Sequence, residues 1–246
     1  MLDSIVGYDA TGGGVMTVVN TTSLTIKGGA DQIAYIVAYA VDGISAQRVI
    51  VTNAANPDWD ATGLVLYPTT DGTAVGAGVQ WQPLKHKVPV RGGDVLVMTS
   101  VSGANPIHCI LYIDYPPYGF SVRPDNPTET GLYYTRTTVA GGTNCAAGTS
   151  QQATTNLGAF PNRMLTPVAV HANAAFTTTA FLGLRKLGTG YIVYFPIGLT
   201  DVANDWWSFG LPKGLFTVTK GDSIELFWIS VTAEQPTAEI DFVYPA

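Results

Sequence analysis

The stretch "RGGDVLVM" at 91–98 has a near copy at "TKGDSIELFW", 219–228, and this repetition constrains the fold more than any other feature. Setting Asp94 on Asp222 gives a spacing of 128 residues, and setting Tyr115-Pro116 on Tyr244-Pro245 gives 129. Between these anchors both copies run through a turn, an apolar strand, a polar turn holding Pro106 or Pro236, and a second strand ending in Tyr-Pro. Trp81 and Pro83 precede the first turn much as Trp207 and Pro212 precede the second, and "IAYIVAYAVDGISAQRVIVT" has a counterpart in "LTPVAVHANAAFTTTAFLGL". A chain of 246 residues that repeats at this spacing is expected to build two similar units of about half its length, each long enough for its own core.

The local pattern fixes what those units are made of. Runs such as "QIAYIVAYAV" (32–41), "QRVIVT" (47–52), "LVLY" (64–67), "DVLVMTSV" (94–101) and "IHCILYID" (107–114) are β-branched, aromatic or alternating. The second half matches them with "TPVAVHA" (166–172), "TTTAFLGL" (177–184), "YIVYF" (191–195), "SIELFWIS" (223–230) and "TAEIDFVY" (237–244). Between them stand Gly, Pro, Asn and Asp clusters, and short strands with such punctuation predict an all-β sandwich or barrel with almost no helix. The repeated Gly-Asp pair reads as a turn, glycine supplying positive φ and aspartate accepting from nearby backbone amides. "KGD" at 220–222 is also an adhesion tripeptide, but its counterpart reads "GGD", which favours the turn.

Composition then excludes several functions. Charged residues make up 12% of the chain, about half the usual share, and mean hydropathy is +0.21. Its longest strongly apolar run, Ile33 to Val41, is too short to span a membrane as a helix. Surplus apolar surface without such a span implies faces that bury against neighbouring subunits. The N-terminal "MLDSIVGYDATGGG" carries no cationic or apolar leader, so no secretory signal is expected in this chain. Twelve Lys and Arg against 18 Asp and Glu give a net charge of −6, and no basic arm concentrates the positive charge, so direct nucleic-acid binding is not expected. Cys109 and Cys145 fall in dissimilar segments, one strand-like and one in a Gly/Ser/Thr-rich loop, and are expected as free thiols.

No catalytic constellation emerges. His86, His108 and His171 lack the close spacing of paired metal ligands, and "GISAQ" at 43–47 fails the nucleophile-elbow pattern at its last position. We therefore expect no enzyme and no cofactor. Within "NPDWDATG" (56–63), Asp58 and Asp60 stand two apart and could offer alternate oxygens to a hard cation, but the distal glutamate of a calcium loop is missing and an ordinary turn is the plainer reading. "NDWW" sets Trp206 and Trp207 beside an aspartate, as in sugar-binding platforms; the competing reading is one tryptophan in the core and one at an interface.

Two consecutive β units ending in "RGGDVLVM…YIDYP" and "TKGDSIELFW…DFVYP", acidic and without a basic arm, resemble the double jelly-roll major capsid proteins of tailless icosahedral double-stranded DNA viruses, the adenovirus hexon-like lineage. The resemblance is one of architecture across the whole chain and rests on no signature peptide. It implies two tandem eight-stranded jelly rolls, residues 1–117 and 128–246, joined by a linker at 118–127. It further implies a homotrimer of pseudo-hexagonal outline that makes lateral trimer–trimer contacts. Other capsid and vertex proteins would be partners, an internal virion membrane underlies the coat in many members, and assembly in the host cytoplasm would lead to the virion. The alternative is a tandem β-sandwich carbohydrate-binding or receptor-binding (spike or fibre) protein acting through Trp206 and Trp207.

Overall fold

The computed structural model describes residues 1–18, 24–43, 47–55, 63–69, 81–101, 105–116, 132–140, 149–156, 164–173, 180–197, 206–211, 215–230 and 237–245. Among these residues the protein is all-β, with antiparallel strands and no helix. It divides into two compact units, Ser4–Pro116 and Pro117–Ala246, the latter together with Met1–Asp3.

The N-terminal half supplies β1 (Leu2–Asp9), β2 (Thr17–Val18), β3 (Ile33–Asp42), β4 (Arg48–Asn53), β5 (Leu64–Leu66), β6 (Gln82–Arg91), β7 (Leu96–Val101) and β8 (Ile107–Asp114). They form one sheet in the order β2-β1-β8-β3-β6 and another in the order β5-β4-β7. The C-terminal half supplies β9 (Leu132–Ala140), β10 (Thr149–Asn156), β11 (Thr166–Asn173), β12 (Ala180–Lys186), β13 (Val193–Ile197), β14 (Trp206–Gly210), β15 (Ser223–Ser230) and β16 (Thr237–Pro245). Its sheets run β14-β11-β16-β9 and β10-β15-β12-β13. Adding eight to each strand number turns β1-β8-β3-β6 into β9-β16-β11-β14, and β5-β4-β7 into β13-β12-β15. One difference stands out among the described residues: β10 pairs with β15, whereas β2 pairs with β1, and the isolated bridges Val15–Thr99 and Thr25–Val95 tie its flanks to β7 and the residue before it.

Register repeats along with order. The β3–β8 pairing slips by one residue between Ile36 and Ala38, and β11–β16 slips by one between Pro167 and Ala169. A bulge of this kind bends the strand and increases its twist. The last residue of β4, Asn53, pairs with Leu96, two positions beyond Asp94; the last residue of β12, Lys186, pairs with Ile224, two positions beyond Asp222.

Alternation explains the core. In β4 and β7 the buried set is Val49, Val51, Asn53, Leu96, Met98 and Ser100, while their neighbours Ile50, Thr52, Val97 and Thr99 are only half-buried. Strand period two therefore sends one row inward and the other outward. Each fully buried aliphatic or aromatic side chain contributes about 1.5–3 kcal/mol relative to exposure, so these rows hold the sheets together. Strand β8 departs from alternation, being buried at all eight positions, His108 and Asp114 included. Strand β6 tolerates Pro83 and Pro89 because it lies at a sheet edge, where a missing amide costs no ladder bond on the open side.

Candidate functional site

The repeated Gly-Asp segments fold alike. The Asp94 amide donates to the Arg91 carbonyl at 3.0 Å, and the Asp222 amide donates to the Thr219 carbonyl at the same distance. Gly93 has φ +88° and Gly221 φ +92°, the positive value that the third residue of a type II turn requires. Each aspartate then closes its own turn, Asp94 Oδ2 accepting from the Arg91 amide and Asp222 Oδ2 from the Thr219 amide, both at 2.8 Å. A side chain from the end of the adjacent strand completes each site. Asn53 Nδ2 donates to Asp94 Oδ2 at 2.8 Å in the interior, whereas Lys186 Nζ reaches Asp222 Oδ2 at 2.8 Å in a half-exposed setting. Lys186, followed by the Thr219 amide, holds the Asp222 carboxyl below the usual aspartate range. These turns are structural devices that start β7 and β15 in the right register.

A second polar node ties the loop after β1 to β7. Asp9 accepts from the Thr11 amide at 3.0 Å, the Thr11 hydroxyl at 3.1 Å, the Gly14 amide at 3.1 Å and the Ser100 hydroxyl. Partial burial raises its pKa, but these four donors outweigh that effect, with Ser100 the strongest, and hold it at about 2. Asp9 faces inward toward β7, as does Gly7, where a Cβ would strike the Met98 side chain. The intervening Tyr8 points to the other face, where its ring stacks on His108 with centroids 4.5 Å apart.

Each histidine has its own local surroundings. His108 is buried in β8 with Nδ1 3.5 Å from Asp42 Oδ2 across the β3–β8 ladder. His171 on β11 bonds through Nε2 to Asp241 Oδ2 on β16 at 2.9 Å, both half-exposed. His86 is exposed on the edge strand β6. Among the described residues, no group of three or more His, Cys, Asp or Glu could hold a metal ion. Cys109 is a free, buried thiol whose pKa burial raises, which makes it a poor nucleophile. Also among the described residues, no helix is long and apolar enough to cross a membrane.

Asp58, Asp60 and Cys145 lie outside the described residues. Trp206 and Trp207 occupy consecutive positions on the edge strand β14, in register with Asn173 and Ala172.

The sheet faces differ between the units in a way sequence reasoning missed. Outward positions of β5-β4-β7 are Arg48, Ile50, Thr52, Val65, Val97, Thr99 and Val101; Arg48 is exposed and the rest half-buried, with Val15 and Val95 beside them 70% and 50% exposed. The register-equivalent outward positions of β13-β12-β15 include Phe181, Tyr194, Glu225 and Phe227, and all four are buried. There Arg185 pairs with Glu225 at 2.6 Å and lies 4.8 Å from the centre of the Phe227 ring. The opposite sheets reverse this contrast. Outward positions Val6, His108, Ile110, Tyr112 and Asp42 of β1-β8-β3 are buried, whereas Ala169, His171, Glu239 and Asp241 on β11 and β16 are half-exposed.

No protein-family model and no curated protein sequence matches the chain. Among solved structures, dimeric latent PorU from Porphyromonas gingivalis aligns at 11% identity and TM-score 0.28, covering 99% of this chain and 24% of PorU, so the chain spans about a quarter of that protein. The infectious bursal disease virus VP2 subviral particle aligns at 9% identity and TM-score 0.25, covering 100% and 72% of the two chains. The CBM22-1-CBM22-2 tandem domain of Paenibacillus barcinonensis Xyn10C aligns at 11% identity and TM-score 0.22, covering 97% and 93%.

Proposed function

We propose that this chain is a structural coat protein: two tandem jelly rolls that assemble as a homotrimer, the trimers tiling an icosahedral virion shell. The observation that carries the reading is the repetition of one strand order, one bulge position and one Gly-Asp turn in both halves. In each half the eighth strand lies between the first and third and the seventh beside the fourth, the interleaving that two Greek keys give an eight-stranded jelly roll. Three chains with two such units each supply six near-equivalent building blocks, so three-fold symmetry approximates six-fold packing. The low charge content and the half-buried apolar rows on β5-β4-β7 suit a protein that covers its flanks with neighbours.

On this reading the chain has no catalytic role and no cofactor. Its partners are other copies of itself, minor capsid and vertex proteins and, under the coat, a virion membrane. Negative-stain imaging of the purified protein tests the proposal. Particles of hexagonal outline, or closed shells, are expected; a uniform field of single small particles at high protein concentration overturns it.

A further inference from the structure

We propose that β6 is a guarded edge: its prolines and a basic bulge keep a second copy of this chain from adding a strand to the β2-β1-β8-β3-β6 sheet. The inference is independent of the coat-protein reading, since an open sheet edge threatens a free chain and an assembled one alike. Among the described residues β6 stands at one end of that sheet and pairs with β3. An edge strand offers a row of backbone donors and acceptors, and a further strand adds to it when that row is regular and free of like charges. Strand β6 fails on each count. Pro83 and Pro89 have no amide to donate. Its register steps from Val88 opposite Ile36 to Pro83 opposite Ala38, so that Val37 alone spans Leu84, Lys85, His86 and Lys87. A bulge of that size breaks the ladder spacing, and Lys85, His86 and Lys87 are exposed on it.

None of these features is needed to build the fold. The strand at the same place in the other unit, β14, pairs with β11 over five consecutive residues without a register slip and carries neither proline nor charge. The features also concentrate charge: β6 holds Lys85, Lys87 and Arg91 and no acid, in a chain whose net charge is −6. Two β6 edges meeting antiparallel about His86 would set Lys85 of each copy against Lys87 of the other, and like charges directly opposite disfavour pairing. Proline, a bulge and lysine are separate ways of blunting an edge, and β6 carries all of them within the Ser4–Pro116 unit.

Removing the guard tests this. Pro83→Val, Lys85→Thr, Lys87→Thr and Pro89→Val are combined in one variant, and light scattering gives its mass beside wild type across a range of concentrations. The mass should exceed that of the wild-type species by about twofold or more and keep rising with concentration, with binding of a cross-β dye such as thioflavin T that wild type lacks. Loss of two lysines takes the net charge from −6 to −8, which by itself favours separate chains, so added association is not a general loss of solubility. Lys27→Thr with Lys220→Thr makes the same charge change away from the strands and should leave the mass at the wild-type value. Should proline replacement unfold the chain, Lys85→Thr with Lys87→Thr is read in the same way, both side chains being exposed. A variant that keeps the wild-type mass at every concentration, or a charge control that associates equally, overturns the inference.

Discussion

Replacing Asp94 by alanine should destabilise the protein about three times as much as replacing Asp222, although both residues close the same turn. Asp94 is 8% exposed and Asn53 4%, so removing the carboxylate strands the Asn53 amide away from water. Asn53 cannot turn away freely, because its Oδ1 accepts from the Ala55 amide at 3.2 Å. An unsatisfied buried donor costs about 1–3 kcal/mol, and the turn bond to the Arg91 amide adds about 1, so the total is about 3 kcal/mol. Around Asp222 the Lys186 ammonium and Thr219 are half-exposed, and water replaces much of what the carboxylate gave. Discounted for that screening, the loss is about 1 kcal/mol. Scanning calorimetry reads the difference. At about 4 °C per kcal/mol for a unit of this size, the melting point should fall by about 12 °C for Asp94→Ala and about 4 °C for Asp222→Ala. Adding Asn53→Ala to Asp94→Ala should cost little more, since the stranded amide is then gone. Equal shifts for the two aspartates, or additive effects at 53 and 94, would refute this reasoning.

Three further outcomes are expected. Gly93→Ala should cost about 1–2 kcal/mol from its positive φ alone, because its Cβ would enter open space, whereas Gly92→Ala should cost more because its Cβ would meet the Gly28 and Gly29 backbone; urea unfolding compares them. The folded pKa of Asp9 is about 2 against 3.8 for the free side chain, so its contribution is fully present above about pH 4 and is lost as pH falls through 2. After allowance for partial exposure this amounts to about 1–2 kcal/mol, and Ser100→Ala should flatten that part of the stability–pH curve. Changing Trp206 and Trp207 to alanine should leave a glycan array blank before and after; binding that disappears with the tryptophans would instead support the carbohydrate-binding alternative.

Strands with an uninterrupted apolar or alternating signal were legible in the sequence. The expected 223–230 run coincides with β15, and 107–114 with β8. The Gly-Asp turn was legible too, because positive φ and a short acceptor leave few residue choices. Strand β6 was missed, since Pro83, Pro89 and the charged "KHK" at 85–87 all read as breakers; its edge position makes them harmless. Strand β1 was hidden by Asp3, Ser4, Gly7 and Asp9, whose polar groups are absorbed by specific partners rather than by solvent. The offset between halves grows from 128 at the Gly-Asp turn to 131 at the bulges Val37 and Val168, because loop lengths differ upstream. Which outward-pointing residues are buried was not legible at all. Glu225 looks like a surface residue in sequence and is 2% exposed, while the valines of β7 look like core and are half outward.

The most direct test of the account is the mass of the purified wild-type chain by light scattering across a range of concentrations. The account predicts a stable species of three chains of 26.0 kDa each; a species that remains a single chain at the highest concentration contradicts it.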